Sequence, residues 1–170
     1  MPLYVAGRNQ VWTGNPIVHH EYMVTGMSDA SLALRITAAN LGAVVGFLRD
    51  CTDYTSVRCS DLASMHSICV RARWVESRSS AVQVALIEQD GTPWGADVAL
   101  TSEWRGVRVP LSKLRYLREW AIGPAGRGSA GDHVRLDRLA AVNLCFGAWL
   151  DPQHVSEPHT LEIEEIALEP

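Results

Sequence analysis

An all-β, two-sheet antiparallel sandwich is the fold this sequence predicts, on three observations. Short runs alternate with the two-residue period of a strand, as Val82, Val84 and Leu86 do against Gln83, Ala85 and Ile87. Turn signals such as Asp90-Gly91 separate such runs, Gly taking a positive φ without steric cost. No segment sustains the period of an amphipathic helix. Eight or more strands with polar turns make a sandwich or jelly roll.

Taken in order, residues 1–14 predict an edge strand and a loop, and residues 16–24 a strand. His19 and His20 are neighbours on that strand, so they point to opposite faces and do not chelate one ion together. Leu32, Leu34 and Ile36 share the next strand face. Residues 42–50 follow, with Val44, Gly46 and Leu48 on one face and Val45, Phe47 and Arg49 on the other. Asp61 is placed to cap a short helical turn. Ile68, Val70, Ala72 and Trp74 then oppose Cys69, Arg71 and Arg73.

Residues 81–114 carry three strands. The second sets Ala96, Val98 and Leu100 on one face, and the third sets Val107, Val109 and Leu111 against Arg108. Pro110 sits at a strand end, where a missing N–H costs least, and Ser112 is placed to cap a short turn. Residues 116–132 read as a long exposed loop and 136–139 as a helical turn. Residues 142–149 form a strand, 151–159 a loop, and 161–168 the closing strand.

A chain of 170 residues suits a single domain spanning 1–170 with a sizeable core, here expected as a monomeric module of a larger protein. A net charge of −4 gives no reason to expect nucleic acid. No apolar run approaches the ~20 residues needed to cross a bilayer, and no membrane partner is expected. The first residues lack the basic start and long apolar run of a signal peptide. Of the four cysteines, Cys51 and Cys59 flank a polar segment. A bridge between them would contribute about 2.5 kcal/mol in the chain-entropy model, free thiols being the alternative. Cys69 and Cys145 lie within strands, and the absence of Cys-x-x-Cys spacing argues against zinc.

Five segments in this order carry a family resemblance: the DLxxxxxIxVRAR strand of residues 61–73, the alternating strand ending in Asp90-Gly91, Trp94, the TxxWxxVxVPLSxL segment of residues 101–114, and the LxIxxIxL strand of residues 161–168. Together they resemble the β-jelly-roll carbohydrate-binding modules of the galactose-binding-like group, which are appended to polysaccharide-degrading enzymes. The resemblance implies that fold, a polysaccharide or oligosaccharide partner, a tethered catalytic domain, and an extracellular or periplasmic setting as part of a secreted protein. Such modules often end in a strand with Asp-Asp, the first being a ligand of a structural calcium. Here Glu164-Glu165 stands in that place, so the implied metal ligands are Glu164 and Asp29, with Ca²⁺ the one cofactor expected.

The usual strand order of the fold puts the strands near 31–37, 67–75, 104–110 and 160–169 in one sheet. The strands near 43–50, 81–89, 93–101 and 141–149 form the other. On the first sheet the outward residues are Arg35, Arg71, Arg73, Arg108, Glu162 and Glu164, a charged cross-strand lattice. On the second, Phe47, Arg49, Gln83, Ala85, Ile87, Asp97, Asn143, Cys145, Gly147 and Trp149 face out. Amides and carboxylates bond vicinal hydroxyls, and a Trp stacks on the C–H face of a sugar ring. The expected ligand-binding residues are therefore Trp149, Gln83, Asn143, Asp97 and Arg49, with Trp94 and Trp120 walling the site from loops. Trp74 and Trp104 are expected to be structural.

No constellation supplies an acid, a base or a nucleophile, so the chain reads as a binding module, not an enzyme. The alternative is a structural or protein-interaction jelly roll of a larger glycan-active enzyme. A binder should keep Trp149, Gln83 and Asn143 exposed around a groove; a spacer should cover that face.

Overall fold

The computed structural model describes residues 1–3, 10–13, 18–25, 31–42, 44–76, 80–121 and 123–170. Two antiparallel sheets face each other. The six-stranded sheet runs in the order β1 (Gln10–Thr13), β4 (Val45–Asp50), β10 (Leu139–Phe146), β6 (Ser80–Glu88), β7 (Pro93–Leu100), β9 (Arg115–Tyr116). The five-stranded sheet runs β2 (Val18–Thr25), β3 (Ser31–Ala38), β11 (His159–Glu169), β5 (Ser67–Trp74), β8 (Arg105–Pro110). The eight expected strands divide between the sheets as the sequence predicts, with β1, β2 and β9 added at edges.

Alternation decides which side chains meet in the middle. On β5, Ile68, Val70, Ala72 and Trp74 are fully buried; on β6 and β10, Val82, Val84, Leu86, Val142 and Leu144 are too. Trp74 sits edge-on to Phe146, ring centroids 5.1 Å apart, and its indole N–H donates to the Ser80 carbonyl at 3.1 Å. Cys51 is a free, buried thiol, and burial pushes its pKa up to about 11.

On β4 the expected phase is reversed. Val45 and Phe47 belong to the core, and Leu48 lies on the other face. Both faces of that segment are apolar, so periodicity alone does not choose; the bulk of Phe47 does. Arg49 shares the parity of Phe47. It is 3% exposed and its Nε donates to the Leu3 carbonyl at 3.1 Å, so its side chain serves the interior, not the outer face.

The polar segment after β4 is helical rather than a loop: α1 (Thr52–Val57) and α2 (Cys59–Leu62). Asp50 starts it, accepting from the Thr52 N–H at 2.8 Å and the Thr52 hydroxyl at 2.7 Å. These bonds hold the Asp50 carboxyl below its usual range. Asp61 lies in the first turn of α2 and is not its cap, and Ser112 likewise lies inside the 3₁₀ turn 111–113.

The outer face of the five-stranded sheet is the charged lattice expected. Glu162 is fully buried, taking Arg35 on one oxygen (2.7 Å) and Arg73 on the other (2.7 Å). These partners come from β3 and β5, the two neighbours of β11 in register. Arg73 also lies 4.8 Å from the Trp104 ring, which gives that Trp its structural place. Arg108 pairs with Glu169 at 2.6 Å.

Residues 116–132 are not a free loop. Arg127, 9% exposed, donates to both oxygens of buried Glu88 (2.8 and 3.0 Å), to Asp90 (3.1 Å) and to Asp132 (2.8 Å). Its guanidinium lies 5.7 Å from the Trp94 ring. Arg127 first, then the Gly128 N–H, lowers the Asp132 pKa to about 2. The Thr92 hydroxyl leads in lowering that of Asp90.

Carboxylates with depressed folded-state values contribute stability that is complete above their ordinary pKa of about 4 and lost as pH falls through the lowered value. The Tm gap between wild type and Asp132→Asn is therefore expected to shrink between pH 4 and pH 2. A gap constant across that window in thermal scans would refute the Arg127–Asp132 contribution.

Candidate functional site

The outer face of the six-stranded sheet is built in three transverse rows fixed by strand register. Gly46, Cys145, Gln83 and Asp97 make the first row; Leu48, Asn143, Ala85 and Gly95 the second; Asp50, Ala141, Ile87 and Pro93 the third. Small residues at 46, 85, 95 and 141 keep the middle of the face low. The segment after β9 folds back over it. Leu117 lies so close to Gly95 that a Cβ there would stand 2.7 Å from Leu117 Cδ1. The next 3₁₀ turn, Arg118–Trp120, carries Trp120 to the same face.

β10 ends at Phe146, so Trp149 lies on the turn that follows, not on a strand. Its ring folds back onto Gly147, where an added Cβ would collide with it. Trp149 remains 42% exposed and packs against Trp120, ring centroids 5.7 Å apart. Gly147 thus makes the seat for the indole. Gly147→Ala is expected to push the ring off the sheet with the core unchanged, shifting Trp fluorescence and weakening whatever binds there several-fold. An unchanged emission spectrum would show that the seat is not needed.

Beside Trp120 is a cavity of about 270 Å³, lined by Leu48, Gln83, Ala85, Ile87, Gly91, Pro93, Leu117, Trp120 and Asn143. Gln83 is 1% exposed, and its Nε2 donates to Asp97 Oδ1 at 3.1 Å. A carboxylate only accepts, so this bond fixes the amide orientation and leaves Gln83 Oε1 facing away from Asp97. Both Gln83 Oε1 and Asn143 Oδ1 are buried with no hydrogen-bond partner. Buried acceptors without a partner cost stability and point to a ligand or ordered water. Asp97 is exposed and also lies 3.5 Å from Arg115. Cys145 on the same face is held as a neutral thiol, its pKa pushed up to about 12 by burial first and by Asp97 second.

The structure therefore gathers Gln83, Asn143, Asp97, Trp120 and Trp149 on one face. Of the three residues a binder was expected to expose, Trp149 is exposed, whereas the Gln83 and Asn143 amides form a buried floor, because the segment 117–120 covers part of the sheet. Arg49 and Trp94 are not with them. Trp94 is 3% exposed, opposite core residue Leu86 in register, and packs on Tyr116 at 5.8 Å. Its parity places it in the interior despite the adjacent turn. Leu48 and Leu117 are lining residues that sequence reasoning missed; the alternation that marks Phe47 as core also marks Leu48 as outward.

Glu164 pairs with Arg71, which neutralises the carboxylate expected to serve calcium, and Asp29 lies outside the described residues. Among the described residues no group of three or more His, Cys, Asp or Glu side chains is placed to hold a metal ion. A larger cavity of about 570 Å³ lies at residues 62–65, 111–112 and 133–137. It is lined by connecting segments and holds none of the unpartnered buried acceptors.

No family model matches the chain, and no curated protein matches it. Solved structures do. A family 11 carbohydrate-binding module from Clostridium thermocellum, in complex with a β-1,3-1,4-mixed-linked tetrasaccharide, superposes with a TM-score of 0.64 at 12% identity over 96% of this chain and 89% of that one. A family 30 carbohydrate-binding module of a cellulosomal cellulase of the same organism gives 0.61 at 10% identity, over 95% and 91%. An agarase gives 0.63 at 12% identity, over 100% of this chain but 24% of the agarase. At these identities the likeness establishes the fold: the chain is a β-sandwich of the jelly-roll kind that these modules share.

Proposed function

We propose that this protein is a non-catalytic carbohydrate-binding module that holds a polysaccharide or oligosaccharide on the outer face of its six-stranded sheet. The observation that carries the reading is a cavity lined by the Gln83 and Asn143 amides, each with a buried oxygen that lacks a partner, and by Trp120, on which the exposed ring of Trp149 packs. Sugar hydroxyls donate to such acceptors, while the ring C–H face rests on an indole. The shared fold with carbohydrate-binding modules supports it. The agarase, of which this chain matches about a quarter, supports a setting beside a polysaccharide-degrading catalytic domain in a secreted protein. Among the described residues no helix is long and apolar enough to cross a membrane.

Affinity electrophoresis against a panel of soluble polysaccharides is expected to retard the wild type with at least one glycan. Asn143→Ala should weaken that retardation by about tenfold, the loss of one buried hydrogen bond to a ligand being worth about 1.5 kcal/mol. A folded protein that no glycan retards would leave the structural-spacer reading in its place.

A further inference from the structure

The chemistry of the cavity narrows the class of sugar. Gln83 and Asn143 are the only amide or charged side chains that line it among the described residues. They stand on adjacent strands as diagonal neighbours of one face, Asn143 being opposite Ala85 and Cys145 opposite Gln83. Leu48, Ile87, Pro93 and Leu117 make an aliphatic wall, and the Trp120 indole completes the lining. A bare hexose carries hydroxyls around its whole rim. Two of them can donate to the amide oxygens, but those turned toward the aliphatic wall would lose water without gaining a partner, which lowers affinity. A unit that keeps two hydroxyls on one edge and has a methyl group on another leaves neither side unmatched.

Size and shape point the same way. The volume of about 270 Å³ falls just under the ~300–1,000 Å³ of pockets for drug-sized ligands. It suits one substituted sugar unit and not a run of them. Trp149, seated on Gly147, packs on Trp120, which itself lines the cavity, so the cavity is bounded by a ring on that side.

Resting on the carbohydrate reading above, the geometry points to a glycan unit that bears a methyl group, as an O-acetyl ester or a 6-deoxy sugar, at a chain end or as a side decoration. Gln83 Oε1 and Asn143 Oδ1 accept from its hydroxyls, and the Leu48, Ile87 and Pro93 wall takes the methyl. Burial of one methyl group against such a wall corresponds to roughly a fivefold to tenfold gain in affinity.

The test is calorimetric titration of the wild type with two matched pairs. One pair is an acetylated manno-oligosaccharide and the same oligosaccharide after alkaline deacetylation. The other is an oligosaccharide capped with L-fucose and the same oligosaccharide capped with L-galactose, which differs at C6 alone. In at least one pair the methyl-bearing member is expected to bind fivefold or more tightly, and the pair that responds tells acetyl from deoxy sugar. Ile87→Asn, with its fold verified by circular dichroism, is expected to bring that ratio near one. Equal or tighter binding of the bare members in both pairs would overturn the methyl specificity and leave the carbohydrate reading standing. A ratio that survives Ile87→Asn would overturn the assigned wall. No binding of any member, together with no retardation across the polysaccharide panel, would remove both readings.

Discussion

Replacing Arg127 by Met is expected to destabilise the protein by about 3 kcal/mol, the order seen when one partner of a buried ion pair is removed. For a chain of this length that is a fall in Tm of roughly 6–12 °C. The reason is Glu88. Its side chain is fully buried, and Arg127 satisfies both of its oxygens; without Arg127, the Arg135 N–H at 3.0 Å is left as its hydrogen-bond partner. A charge stranded in that position costs more than the pair contributes, because desolvation is no longer offset. The double variant Glu88→Gln with Arg127→Met should therefore recover much of the loss. A single-variant cost below about 1 kcal/mol would place this contact among ordinary surface ion pairs. The anchored segment leads back to Trp120, so the variant should also weaken glycan binding indirectly.

Trp149→Ala is expected to reduce glycan affinity by roughly thirtyfold, about 2 kcal/mol, the scale at which a buried aromatic anchor acts in a binding site. The ring is partly exposed and lies on a turn, so Tm should change little. Trp104→Ala serves as the control. That residue packs against Arg73 on the opposite sheet, and its loss should leave binding unchanged. Equal loss in both variants would mean that Trp149 acts through the fold and not through contact with the ligand.

The sandwich is legible because a core on one face selects apolar residues at a period of two, as Ile68, Val70, Ala72 and Trp74 on β5 and Val82, Val84 and Leu86 on β6 show. Where both faces of a strand are apolar the period is silent, and on β4 Phe47 and Arg49 lie on the inner side, opposite to the phase the sequence suggests. Trp94 shows the reverse: its parity pointed inward, and the nearby turn did not change it. Trp149 was expected to be exposed as part of a strand, and it is exposed, but on a turn whose geometry Gly147 makes possible. Arg127 carries no local signal at all. Its partner Glu88 is 39 residues away, and only the folded chain brings a cation from a loop to a carboxylate at the end of β6.

The place of β11 has a consequence for how the chain is made. The last strand of the sequence lies in the middle of its sheet, between β3 and β5. During synthesis on a ribosome, β2–β3 and β5–β8 emerge as two unjoined hairpin-like halves, each with an open edge. The sheet closes only when residues 159–169 leave the exit tunnel. Glu162 then acts as a gauge of correct insertion: a slip of one residue would turn its carboxylate away from Arg35 and Arg73 and into the apolar interior. Completion of the sheet thus waits on residues 159–169, the strand that joins its two halves.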